Sequence, residues 1–125
     1  MNVGEIGPKI FVSSREEWRK WLEEHHRTEK SVWLVQFKKH TGRKSLSYDN
    51  AVEEAICFGW IDSFMHGIDD DSYAQKFTPR QAGSQWSETN LKRAAKMIRE
   101  SKMTPAGLEK MPEDWKHSKA TKNNN

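Results

Sequence analysis

The chain has a single cysteine, Cys57, so no disulfide can form within it and its stability cannot depend on an oxidising compartment. No stretch approaches the ~18 consecutive apolar residues of a membrane-spanning helix, and Met1 to Pro8 show no basic region leading into an apolar run. With no export signal legible, a cytoplasmic location is expected. Aliphatic residues are also scarce, the apolar fraction being 34%. An excess of either charge is missing too: 21 Lys and Arg stand against 18 Asp and Glu, a net charge of +3 that permits an anionic partner without requiring one. Internal repeats, a serine nucleophile elbow, and the glycine and Lys-Ser/Thr spacing of a phosphate-binding loop are all absent.

What the chain does have is aromatic bulk. Six Trp, five Phe and two Tyr supply large buried area per residue, and 125 residues suffice for one domain with its own core. The most informative stretch runs from Ala51 to Asp62. Tyr48, Ala51, Val52, Ala55 and Ile56 recur at helical spacing and predict a central helix. Ser47 is placed to cap it, Leu46 to staple onto Ala51, and Gly59 to stop it in a left-handed conformation. Trp60-Ile61-Asp62 then leaves as an extended segment.

Before this helix, Lys9 to Val12 reads as an extended lead-in to a helix over Ser14 to His25, with Trp18, Trp21, Leu22 and His25 on one face. Its cap is either Ser13 with Glu16 or Ser14 with Glu17. Adjacent His25 and His26 point about 100° apart on a helix and do not make a metal pair. Ser31 to Lys38 predicts a central strand, with Val32, Leu34 and Gln36 opposite Trp33, Val35 and Phe37. After the central helix, Ile61–Ile68 and Ser72–Thr78 read as a hairpin across Asp69-Asp70-Asp71, a triplet without the spacing of a calcium loop. Arg80 to Gln85 is a polar loop that could act as a lid. Ser87 and Thr104 cap two further helices, the second with Pro105 at its first position. A domain over residues 1–112 and a flexible polar tail over 113–125 are expected.

Cations and aromatics fall in the same blocks. Lys39 and His40 lie in a basic turn around Gly42, whose amides could also face an anion. Trp60 and Asp62 follow the central helix, Tyr73, Lys76 and Arg80 lie on the hairpin, and Trp86 precedes the next helix. These eight residues are the candidate ligand site. They suit an anionic small molecule such as a nucleotide, or single-stranded nucleic acid, because aromatic faces stack on flat groups while cations neutralise phosphate. An enzyme would have to draw on His40 as base with Asp62 orienting it, or on Cys57. The latter sits in the last turn of a helix, where the dipole disfavours a thiolate. A protein-interaction module would instead show an apolar surface patch.

Taken together, Lys38-Lys39-His40-Thr41-Gly42, Cys57-Phe58-Gly59-Trp60-Ile61-Asp62, Tyr73 with Phe77-Thr78-Pro79-Arg80, Trp86-Ser87 and Met103-Thr104-Pro105-Ala106-Gly107 resemble the YdeI or OmpD-associated family, also called bacteriocin-protection proteins. The resemblance spans about residues 14–111. It implies a role in tolerance of antimicrobial peptides and a link to an outer-membrane porin, and carries over no catalytic residue. A periplasmic location proposed for that family lacks an export signal here. The chain also departs at His66-Gly67 and Gln81, where the family often has basic residues. The reading is thus an α+β domain, a small largely antiparallel sheet covered by about four helices. It acts as a stress-related binding protein with no catalytic residue, metal or cofactor assigned. A small enzyme with a His/Asp/Lys/Arg cleft and a protein-interaction module are the alternatives.

Overall fold

A computed structural model describes residues 8–116. The elements follow in the order β1 (Lys9–Phe11), α1 (Arg15–His25), β2 (Val32–Phe37), a 3-10 turn (Lys39–Thr41), α2 (Tyr48–Cys57), β3 (Trp60–Gly67), β4 (Ser72–Pro79), α3 (Glu88–Arg99), α4 (Pro105–Glu109) and α5 (Glu113–Lys116). The strands form one sheet in the order β1-β2-β4-β3. Only β1 and β2 run parallel, joined through α1; the other two pairings are antiparallel. The fold is therefore α+β, with β2 interior as the alternation of its apolar residues predicts.

The helices start where their hydroxyl caps stand. Ser14, Ser47, Ser87 and Thr104 each accept the amide three residues on, which settles the first cap in favour of Ser14 with Glu17. Helix α2 is buried from Ala51 to Cys57. It packs on α1, β3, α3 and α4, and its apolar stripe joins Trp18, Leu22, Val32, Leu34, Trp60 and Phe77 in the main core. Gly59 follows with φ of +77°, and an added Cβ there would meet Lys110 Cγ at 2.8 Å and the Ala106 carbonyl at 2.9 Å. Glycine is required for conformation and space alike. Helix α4 then closes the end of α2: Thr104 donates its hydroxyl to the Cys57 carbonyl at 2.5 Å, and Gly107 lies so close that a Cβ would collide with that carbonyl.

At the other end, the polar tail expected from Glu113 opens instead with α5, because Trp115 supplies enough apolar surface to pack on the core. Residues 1–7 and 117–125, the latter holding the rest of the expected tail, lie outside the described residues.

Candidate functional site

The structure distributes the eight candidate residues over three places. Lys39 and His40 stand at the hairpin end, where His40 Nε2 lies 2.9 Å from Asp71 Oδ1. The Thr41 and Gly42 amides bond back to Lys38 and Lys39, and the Arg43 amide bonds to the Thr41 hydroxyl, so these amides of the turn do not form an outward anion nest. Tyr73 lies half-buried across from Gln36 and Gly67. Asp62 takes its hydrogen bond from the Tyr48 hydroxyl at 2.8 Å; burial, then this bond, raise the Tyr48 pKa. His40 and Asp62 are thus paired to other residues.

Trp60, Arg80 and Trp86 gather at the opposite end of the sheet. Trp60 is core, 1% exposed. Arg80 is 4% exposed; its guanidinium carbon sits 3.9 Å over the Trp86 ring, and Nη1 donates to Ser84 Oγ at 2.8 Å and the Gln85 carbonyl at 3.1 Å. Burial pushes the Arg80 pKa down, with Asp62 partly offsetting it. Trp86 in turn donates its indole N–H to the Lys110 carbonyl at 3.1 Å. The loop expected as a lid is held by these bonds, with Arg80 and Trp86 facing each other.

Lys76 alone occupies a third setting, the face of the sheet away from the helices. Strand register puts Lys9, Phe11, Trp33, Val35, Phe37, Ala74 and Lys76 there. A bulge between Asp62 and Phe64 breaks the alternation of β3, so Phe64 and His66 share this face, aligned with Lys76 and Ala74. Trp33 forms its floor, packed edge-on by Phe64 at 6.0 Å and His66 at 6.2 Å between centroids, with Lys76 Nζ 5.8 Å above its ring. Phe64 stands 56% exposed on one side and Phe11 60% on the other. Arg43 lies over the Phe37 ring at 4.5 Å. Among the described residues, Lys9 and Lys76 are the only strand residues of this face that carry a permanent charge.

A family model described as a domain of unknown function, DUF8412, matches residues 10–110. The chain belongs to that family. No curated protein and no solved structure matches it.

In this DUF8412 chain the groups with enzyme-like chemistry are otherwise engaged. Burial and the neighbouring Glu54 carboxylate push the Cys57 thiol up to about 12, which keeps it protonated at neutral pH. Glu54, 1% exposed, accepts from Arg15 Nε at 2.7 Å and Arg19 Nη1 at 2.9 Å, with Lys102 Nζ 3.7 Å away. Glu53 meets Lys96 at 3.0 Å and lies 3.1 Å from Arg15 without hydrogen-bond alignment. This buried network across α1, α2 and α3 is not legible from the sequence, which assigns Glu53 and Glu54 no role. Arg15 and Arg19 spaced i, i+4 on α1 were the available signal. Among the described residues no group of three or more His, Cys, Asp or Glu side chains is placed to hold a metal ion.

Surface hollows lined by described residues lie largely apart from the eight candidates. The hollow of about 320 Å³ beside His26, Lys30, Gly59 and Lys110 touches Trp60 alone among the eight candidates. Those of about 390 and 110 Å³ touch none.

Proposed function

We propose that the chain is a non-enzymatic binding protein whose helix-free sheet face takes an anionic ligand with flat aromatic groups, single-stranded nucleic acid fitting best. One observation carries this reading: exposed Phe11 and Phe64 flank the Trp33 floor, the strand charges on their face, Lys9 and Lys76, are both positive, and Arg43 adds a third cation over Phe37 at the hairpin end. Aromatic rings stack on any base, contributing about 1–3 kcal/mol each, while lysine and arginine neutralise the backbone. Trp33, Val35 and Ala74 on this face are themselves buried, so contact would run through exposed Phe11 and Phe64 and the lysines beside them. A mononucleotide would reach one exposed ring at a time, so an oligomer should bind more tightly.

The site narrows from the eight residues drawn from sequence to Lys76 and its aromatic neighbours. Lys39 and His40 lie at the hairpin end, where they would meet a strand leaving the face. Arg80 and Trp86 support the fold on this reading. A cytoplasmic setting, a stress-related role and the tolerance of antimicrobial peptides suggested by the resemblance to YdeI/OmpD-associated proteins belong to the same proposal.

The test is fluorescence anisotropy with a labelled single-stranded oligonucleotide of about 12 nucleotides, within the site sizes of such binders. Three cations on three phosphates give a salt slope of about −2, so a fourfold rise in salt should weaken binding about 20-fold. Phe64→Ala should weaken it about 10-fold, matching one lost stacking contact, whereas Lys92→Ala on exposed α3 should leave it unchanged. No saturable binding, or equal losses at the two positions, would overturn the reading.

A further inference from the structure

The two edges of the sheet are treated differently. Strand β1 ends one side and is only three residues long, with Lys9 on it, and short charged edges resist pairing with other chains. Strand β3 ends the other side over eight residues. From Ser63 to Ile68 it carries no Asp, Glu, Lys, Arg or Pro, the residues that ordinarily blunt an edge. Phe64, Met65 and Ile68 are 56%, 53% and 42% exposed, three of the five large apolar side chains exposed in the described residues. Among the described residues, the strand's outer backbone groups face no other strand there.

We propose that this edge pairs with the same edge of a second copy, making one continuous eight-stranded sheet in an isologous dimer. Antiparallel self-pairing about a two-fold axis beside Met65 sets Met65 against Met65 of the second copy and Phe64 against His66 twice. Each pair comes from matching faces, because the bulge puts Phe64 and His66 on one face and Met65 on the other. No like charges meet, since the segment has none. A partner strand of ordinary composition would leave its own charges against this neutral edge, which favours self-pairing. With a net charge of +3, two copies repel little. Five paired residues cover on the order of 500 Å² per copy, below the ~800 Å² of a standard interface, which fits a weak, concentration-dependent dimer. This inference does not rest on nucleic-acid binding, and Met65 points away from the proposed binding face.

The test is sedimentation equilibrium of the full chain from about 5 to 500 μM, a range spanning micromolar affinity. Wild type should rise from 14.6 kDa towards twice that mass, and Met65→Lys should stay at the monomer mass with unchanged circular dichroism. Mild oxidation should cross-link a Met65→Cys variant through position 65 and leave a Phe11→Cys variant largely uncross-linked, since directly opposed strand positions lie within disulfide reach. A constant monomer mass would overturn the proposal and leave the edge to a different chain. A dimer indifferent to Met65→Lys, or equal cross-linking at both positions, would place the interface elsewhere.

Discussion

At Gly59 conformation and space make the same demand. With φ at +77° and the Ala106 carbonyl 2.9 Å from any added Cβ, Gly59→Val should lose at least about 3 kcal/mol, strain and collision acting together. Urea unfolding checks this, and a midpoint equal to wild type would contradict the close approach of α4 to this turn. Cys57 gives a second test. Its thiol titrates near 12 in the folded chain against an ordinary value of about 8.5. The folded state therefore holds the proton more tightly. Stability from this group is whole below pH ~8.5 and falls as pH rises towards 12. Cys57→Ala should show a shallower alkaline loss than wild type once the cavity penalty at neutral pH is subtracted. In the native chain the thiol should react with a disulfide reagent only as fast as the protein unfolds, and rapid labelling would contradict its burial. Individual residues were legible where local geometry dictates them, as at the Ser47 cap and the Gly59 stop. Arg80 was not: the sequence offers it as a ligand cation, and only the fold shows it buried over the Trp86 ring.

Among elements, α2 depends most on charge buried in company. Glu54 has Arg15, Arg19 and Lys102 around it, so Arg15→Ala should leave a buried carboxylate under-compensated and cost about 3 kcal/mol in urea unfolding. A change below about 0.5 kcal/mol, the range of an exposed pair, would show that the carboxylate finds water or another cation. The hairpin was legible from two β-favouring runs around Asp69-Asp70-Asp71, and β2 from its alternation. The bulge in β3 was not, since Ser63 and its neighbours carry no glycine or proline to mark it. That one irregularity decides which side of the sheet Phe64 and His66 face. It moves the candidate site from the aromatic blocks read along the chain to a surface defined only by register.

For the molecule as a whole, the division of the sheet into two faces organises everything else. One face carries α2 and the main core, and the other keeps Trp33 and Ala74 as a small separate cluster with Phe11 and Phe64 exposed beside it. The α+β class and the layering of helices on a small sheet follow from periodicity and capping, which sequence displays. Which aromatics are core and which lie on the open face depends on strand order and on one bulge, which it does not. Trp33 is the only tryptophan on the helix-free face among the described residues, so its indole N–H reports on that face while the other indoles serve as controls. Indole resonances in ¹⁵N-labelled protein should therefore be followed while a short single-stranded oligonucleotide is added at low salt. The Trp33 signal should shift and saturate while those of Trp60 and Trp86 hold still. Movement of Trp86 with Trp33 unchanged, or no movement at any indole, would contradict the assignment of ligand binding to this face.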